Sequence, residues 1–185
     1  MKCIALTNDG RFELRRPGSE SEWECYHSIR ERALWDKEML KQFGPYDRDH
    51  PEQYGEDYAA MVLIRNGIVI GTMGMQDMGY HDAAHGQSHE IEFRAIAIEP
   101  ACQGQGYGGI MLMMGESAAN QKGYHRAGIW ADSAVVLFYA RNGFTHRPAD
   151  MPVRLACPIP GTIPMTKRLD LGIAQNDGSV LIAAA

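Results

Sequence analysis

Apolar and polar positions alternate over Cys3 to Leu6 and again over Arg11 to Arg15, with Asn8-Asp9-Gly10 between them. The pattern predicts a strand, a hairpin turn and a second strand. The period then becomes helical: Trp23, Tyr26, Ile29 and Ala33 fall on one stripe, and Ser19 with Glu22 has the spacing of a capping box for a helix running to Asp36. A second helix over 37–43 stops at Gly44-Pro45, and residues 46–52 form a polar, turn-rich link. Apolar runs at 59–65 and 68–75 flank Asn66-Gly67, the strongest hairpin signal in the chain. The Gly-, His- and Asp-rich stretch 76–88 reads as a loop.

The second half predicts a strand over 90–98, a helix from about 106 to 122, and a strand over 127–131. A helix over 133–142 follows, ended by Gly143 as a left-handed cap, with further strands over 144–147 and 164–169. Between the first strand and helix, Gly104, Gly106, Gly108 and Gly109 let the backbone approach a ligand closely. They also aim successive N–H groups at it beside the positive end of a helix. The apolar run 110–114 would hold that loop rigid, so a phosphorylated cofactor is expected. Gly104, Gly106 and Gly109 satisfy a dinucleotide fingerprint, with Asp132 as a ribose-binding acid. The context argues otherwise. A dinucleotide fold opens on a nearly all-apolar strand, whereas here Glu92 and Arg94 alternate with Phe93 and Ala95 after a long stretch of other structure.

In another frame the loop is Gln103-x-x-Gly106-x-Gly108, and Asp132 to Phe144 reads Asp-Ser-Ala-Val-Val-Leu-Phe-Tyr-Ala-Arg-Asn-Gly-Phe. These two segments resemble the Q/R-x-x-G-x-G/A and N-x-x-A-x-x-F/L-Y-x-x-x-G-F signatures of the GNAT N-acetyltransferases. Asp132 stands for the usual Asn and Val135 for the usual Ala. The resemblance implies an α/β (α+β) fold: one domain with a mixed, mostly antiparallel twisted sheet, helices on both faces and splayed central strands. The resemblance covers about residues 10–170 in outline and is sharp over 90–144, and the implied domain spans residues 1–171, leaving 172–185 as a tail. Acetyl-CoA is the implied cosubstrate. Backbone amides of Gln105, Gly106, Tyr107, Gly108 and Gly109 would surround the pyrophosphate beside Gly104, with Gln103 bracing the turn. Strand residues Ile96, Ala97 and Ile98 would run along the pantetheine, with Phe138 flanking. Asp132 or Ser133 could hydrogen-bond the pantetheine, and Arg141 could meet the 3′-phosphate. Glu92 falls where some members, including the histone acetyltransferase branch, place a general base. Burial among Ile91 and Phe93 would raise its pKa. Glu90 is the reserve candidate. Tyr139 matches the family tyrosine that donates to the departing thiolate.

Bulk properties narrow the reading further. At 185 residues the chain suits one domain. A net charge of −5 and a pI near 5.8 argue against nucleic acid as partner and suit a cationic amine. Cys3, Cys25, Cys102 and Cys157 lack metal or redox spacing, and neither a leader nor a membrane span is read, so a cytoplasmic enzyme is expected. His81, His85 and His89 recur every four residues, but Gly86 interrupts a helix and no fourth ligand is evident, so no metal is expected. Cys102 has no readable His/Asn partner for a nucleophilic role. The methionines read as core filler. Asp47, Asp49, Glu52, Glu56 and Asp57 could attract a cation, and His50 could assist proton transfer. Even so, an amino acid, polyamine, aminoglycoside, aryl amine or protein N-terminus all stay open as acceptors. The tail is an extra strand, a contact for a homodimer, or disorder. Two rival readings are an NAD(P)-binding oxidoreductase and a silent acyl-CoA sensor.

Overall fold

Strands β1 (Lys2–Thr7) and β2 (Gly10–Arg15) form the first hairpin, and β3 (Tyr58–Arg65) with β4 (Ile68–His81) the second. Asn66 (φ 49°) and Gly67 (φ 86°) are both left-handed, the two-residue geometry whose twist matches the strands it joins. The computed structural model describes residues 2–81, 88–149, 159–169 and 181–184. It adds β5 (Ser88–Ile98), β6 (Arg126–Ala131), β7 (Thr145–His146), β8 (Ile163–Arg168) and β9 (Leu181–Ala184). All belong to one sheet ordered β7-β8-β6-β5-β4-β3-β2-β1-β9, in which only β5 and β6 run parallel. The described end of the tail is therefore an added strand, paired to β1.

Two expectations about element ends need correction. Residues 76–81 are strand and not loop: β4 stays paired with β5 as far as His81↔Ser88, and an irregularity between Asp77 and Gly79 (φ 69°) absorbs the glycine. The first helix, α1 (Glu20–Leu34), stops short of Asp36, because Asp36 caps α2 (Lys37–Phe43) by accepting from the Glu38 and Met39 N–H groups. At the front of α1, Ser19 accepts from the Glu22 N–H at 3.3 Å. The Glu22 carboxylate does not reach back to Ser19. It accepts from the Gly18 N–H (2.6 Å) and from both Arg15 Nη atoms (2.7 and 2.8 Å), so the capping box is half formed.

The sheet separates two cores. On one face Phe12, Leu14, Met61, Leu63, Met73, Met75, Ile91 and Phe93 pack against Met111, Leu112 and Met114 of α3 (Tyr107–Gln121). Full burial of such side chains is worth about 1.5–3 kcal/mol each, which fixes α3 and the loop before it. On the other face Tyr58, Ala60, Val62 and Ile64 pack against Tyr26 and Trp23 of α1. A short helix α4 (Val136–Arg141), preceded by a 3-10 turn at Ser133–Val135, lies on the α3 side, and Gly143 (φ 85°) closes it. Among the described residues no helix is long and apolar enough to cross a membrane.

Candidate active site

The site begins where the sheet opens. β5 and β6 pair over Glu90↔Arg126, Ile91↔Ala127 and Glu92↔Gly128, and then part, although β5 continues to Ile98 and β6 to Ala131. At the parting point Ala95 has φ 46°, and the β4–β5 register shifts between Thr72/Ala97 and Gly74/Arg94. One extra residue is thus inserted in β5, which bends it away from β6. Past Glu92, the β6-facing edge of β5 has no strand partner among the described residues. Ile96 and Ile98 lean on the α3-side core, and Ala97 is buried.

The glycine loop carries β5 into α3. Gln103 Nε2 donates to the Ile98 carbonyl at 3.0 Å, tying the loop to the strand end, and Gln105 Nε2 donates to Ala101 O at 3.4 Å. Gly104 (φ 75°) and Gly106 (φ 81°) are left-handed, and a Cβ on either would meet nothing within 4 Å. Glycine is needed there for backbone conformation, and the surface beside it is open. Gly108 is needed for a different reason, since a Cβ would lie 3.1 Å from the Phe138 ring. α4 therefore crosses the first turn of α3 closely. The N–H groups of 104–108 find no acceptor among the described residues, whereas the Gly109 N–H is used by the Gly106 carbonyl (3.0 Å). Tyr107 turns into the core, its ring 5.6 Å from Phe12 and 5.0 Å beneath the Arg65 guanidinium. Open amides at a helix N-terminus, with no acid in its first turn, suit a pyrophosphate.

Two buried titratable groups lie on opposite faces of the sheet. Glu92 is 3% exposed on the α1 side. Burial raises its pKa, and the charge of Arg94 and hydrogen bonds from Arg94 and Trp130 oppose that rise. Its Oε1 lies 2.7 Å from Arg94 Nε but accepts no well-aimed hydrogen bond. Glu90, also buried, is ion-paired with Arg147, the pair lying over Gly128. On the α3 side Tyr139 is 8% exposed, with Phe138 and Phe144 edge-on at 5.0 and 6.0 Å. Burial pushes its phenol up to about 12.

The remaining predicted residues are more loosely placed. Asp132 is exposed and caps its turn by accepting from the Ala134 N–H at 2.8 Å, with Ser133 exposed beside it. Arg141 is exposed in the last turn of α4. His50 is exposed, its Nδ1 accepting from the Glu52 N–H at 3.4 Å. His81 and His89 belong to paired strands and not to a helix, His85 and Cys157 lie outside the described residues, and no metal-binding cluster occurs among those described. Cys102 is half-buried against the core, and Cys3, Cys25 and Cys102 are free thiols. Sequence reasoning missed Arg147 and Trp130 because their partners Glu90 and Glu92 are distant in the chain. It also missed Tyr58, which lies across Gly74 where a Cβ would coincide with its hydroxyl.

A split sheet with an anion cradle at its mouth suits the extended arm of an acyl-coenzyme A, and this geometry defines an acyl-CoA-dependent transferase. Residues 56–146, which carry β3 to β7, match the family model described as acetyltransferase (GNAT) domain. The chain belongs to the GNAT N-acetyltransferase superfamily. Among solved structures it is similar in fold to the GNAT domain of S. lividans PAT, with TM-score 0.62, 18% identity, and 90% of this chain and 96% of that one covered. It is also similar to the ribosomal-protein-S18-alanine N-acetyltransferase from Escherichia coli (TM-score 0.60, 16% identity, 89% and 97% covered). A third is the PaiA N-acetyltransferase from Thermoplasma acidophilum in complex with coenzyme A (TM-score 0.60, 15% identity, 85% and 98% covered).

Proposed function

We propose that this protein transfers an acetyl group from acetyl-CoA directly to an amine. The observation that carries the reading is the joining of open amides at 104–108 to an unpaired β5 edge, and the burial of Glu92 and Tyr139 on opposite faces of the sheet is consistent with it. Bound acetyl-CoA supplies the thioester acetyl. The loop amides and the positive end of α3 hold its pyrophosphate, the 96–98 main chain is open to its pantetheine amides, and Gln103 keeps loop and strand in register.

Glu92 removes a proton from the acceptor ammonium, a task helped by a raised pKa because the base is then closer in strength to the amine. The freed nitrogen lone pair forms the C–N bond as the C–S bond breaks. The nitrogen's second proton, lost as the amide forms, balances the one the thiol gains. Tyr139, at about 12, lies roughly 3.5 pK units above a thiol of about 8.5, so full proton transfer to the sulfur would be uphill by about 5 kcal/mol. Its role is to stay protonated and hydrogen-bond the developing thiolate.

The reading extends to a cytoplasmic enzyme, supported by the three free thiols, and to a homodimer through the outer edge of β9. Calorimetric titration with acetyl-CoA, coenzyme A, NAD and NADP tests the cofactor, and thiol release over an amine panel tests the chemistry. Binding of acetyl-CoA alone, with release on at least one amine, is the expected result. Binding of NAD or NADP without acetyl-CoA would overturn it, and acetyl-CoA binding without turnover of any amine would favour a sensor.

A further inference from the structure

Three buried side-chain polar atoms among the described residues lack a hydrogen-bond partner: Arg30 Nε, Thr72 Oγ1 and Glu92 Oε1. They lie on one side of the sheet. In antiparallel ladders, residues directly opposite share a face. Val62 lies opposite Thr72, Ala60 opposite Gly74, Tyr58 opposite Gln76, Gly74 opposite Arg94, and Gln76 opposite Glu92. Tyr58, Ala60 and Val62 form the α1-side core, so Thr72 and Glu92 face α1 as well. Arg30 reaches that face from α1, donating through Nη1 to the hydroxyls of Tyr58 (3.0 Å) and Tyr26, with its guanidinium 4.9 Å over the Tyr26 ring. The Tyr58 hydroxyl lies directly on Gly74, one step along the face from Thr72 and across the ladder from Arg94, which holds Glu92.

Arg30 differs from most arginines around this face, Arg16, which is exposed and donates to the Tyr58 carbonyl, being the other without a described carboxylate. Arg15, Arg32, Arg48, Arg94 and Arg147 each contact a carboxylate, while Arg30 has only phenols among the described residues. Burial raises the pKa of Tyr26, which keeps that phenol neutral. A half-buried cation without counter-charge is costly, and this one keeps one edge without a described hydrogen bond: Nη1 is occupied, Nε is buried and unpartnered, and Nη2 donates to no described residue. That edge is the side a carboxylate meets with two parallel bonds.

We propose that the acceptor is a small amine that also bears a carboxylate, such as a free amino acid, and that Arg30 holds the carboxylate while Glu92 receives the ammonium proton. Thr72 supplies a further hydroxyl to the carboxylate. Ladder spacings put the Arg30 head on the order of 10 Å from the Glu92 main chain, a span one compact molecule and the Glu92 side chain can bridge. The inference rests on the acetyltransferase reading above.

The test uses matched acceptors: amino acids, their amides and the corresponding decarboxylated amines, assayed by thiol release from acetyl-CoA. A site built around a hydrogen-bonded charge discriminates steeply. The expected kcat/KM preference for the carboxylate-bearing partner is about 100-fold or more. In Arg30→Gln that ratio collapses toward one, mainly through KM, while acetyl-CoA affinity is unchanged. The same amino acids raise the Tm of the wild-type protein and leave that of Arg30→Gln unmoved. If Arg30→Gln fails to fold, Thr72→Val, which keeps the shape and removes the hydroxyl, is expected to lower the ratio several-fold. Equal turnover of amino acids and their decarboxylated amines, or a ratio untouched by both variants, would overturn the proposal. Failure of the wild type to bind acetyl-CoA would instead overturn the acetyltransferase reading on which it stands.

Discussion

Replacing Glu92 with Gln removes the proposed base and keeps the shape, so its two effects pull in opposite directions. A positioned general base contributes about 10²–10⁴ in rate, equivalent to roughly 3–5 kcal/mol of transition-state stabilisation. Turnover should fall by that factor, with acetyl-CoA affinity unchanged because the cradle lies in the 104–108 loop. Stability should move the other way. Burial raises the folded-state pKa of Glu92, so folding favours the protonated carboxyl. That contribution is fully present below the unfolded carboxyl pKa and is lost as pH rises through the raised folded value. The Gln variant has no ionised form to disfavour. The Tm difference between Glu92→Gln and wild type should therefore be small in acid, grow in the variant's favour as pH rises, and level off once Glu92 is ionised in both states. Arg94 loses its partner, but its side chain is 22% exposed and water can solvate it. The assays are thiol release across pH and thermal melts across the same range. In wild type the acidic limb of kcat/KM should fall above the ordinary carboxyl range and disappear in the variant. An unchanged kcat with the limb still in place would refute Glu92 as the base, and a Tm difference that does not vary with pH would refute the burial argument.

Tyr139→Phe should lower kcat by about 10-fold to 100-fold with little change in acetyl-CoA affinity, as expected for one neutral hydrogen bond to developing charge. With the phenol at about 12, wild type should show no alkaline limb from Tyr139 below about pH 11, so a limb near pH 9 lost in the variant would refute burial as what holds the phenol up. Gly106→Asp puts a carboxylate and a strained left-handed residue in the anion cradle, and calorimetry should find acetyl-CoA affinity reduced at least 100-fold while the fold survives by circular dichroism. Gly74→Ala should cost about 2–3 kcal/mol in denaturant melts, because its methyl would occupy the place of the Tyr58 hydroxyl.

Local features were legible where the physics is local. Asn66-Gly67 announced its hairpin, Ser19 its cap, and Gly143 its left-handed helix end, since each depends on a residue and its near neighbours. The order of strands and helices followed from periodicity and turn signals, and the family from two motifs in sequence. What escaped was decided across the sheet. The stretch 76–81 looked like loop from its composition, and only pairing with β5 makes it strand. Glu22 was recruited away from its capping box by Arg15, a residue of β2. Arg147 meets Glu90 over Gly128, 57 positions away, and no spacing rule reaches so far. The burial of Glu92, on which its chemistry depends, likewise comes from its position in the sheet, with Arg94 beside it and Trp130 reaching it from β6.

The bulge at Ala95 joins these levels, and a trace of it is written in the strand itself. Over Glu90 to Arg94 the even positions are polar and the odd ones apolar, whereas Ile96 and Ile98 make the even positions apolar. In a regular strand Glu92, Arg94, Ile96 and Ile98 would share one face, setting two isoleucines among the charges. The extra residue reverses the alternation midway. Glu92 and Arg94 then face α1 and the acceptor side, while Ile96 and Ile98 join Phe93 on the α3 side. Ile98 closes over Gly71, where a Cβ would lie 2.7 Å from its Cδ1 and 3.4 Å from the Met111 sulfur, and so fixes the strand end from which Gln103 hangs the loop. A left-handed alanine costs about 1–2 kcal/mol. The cost is local, and it gives one strand two faces, a carboxylate face toward the proposed acceptor side and a core-anchored stem for the glycine loop. It also supplies the bend that parts β5 from β6. The proposed base, the gap and the strand end that carries the proposed phosphate cradle therefore sit on either side of a single inserted residue, within the short stretch from Glu92 to Gly108.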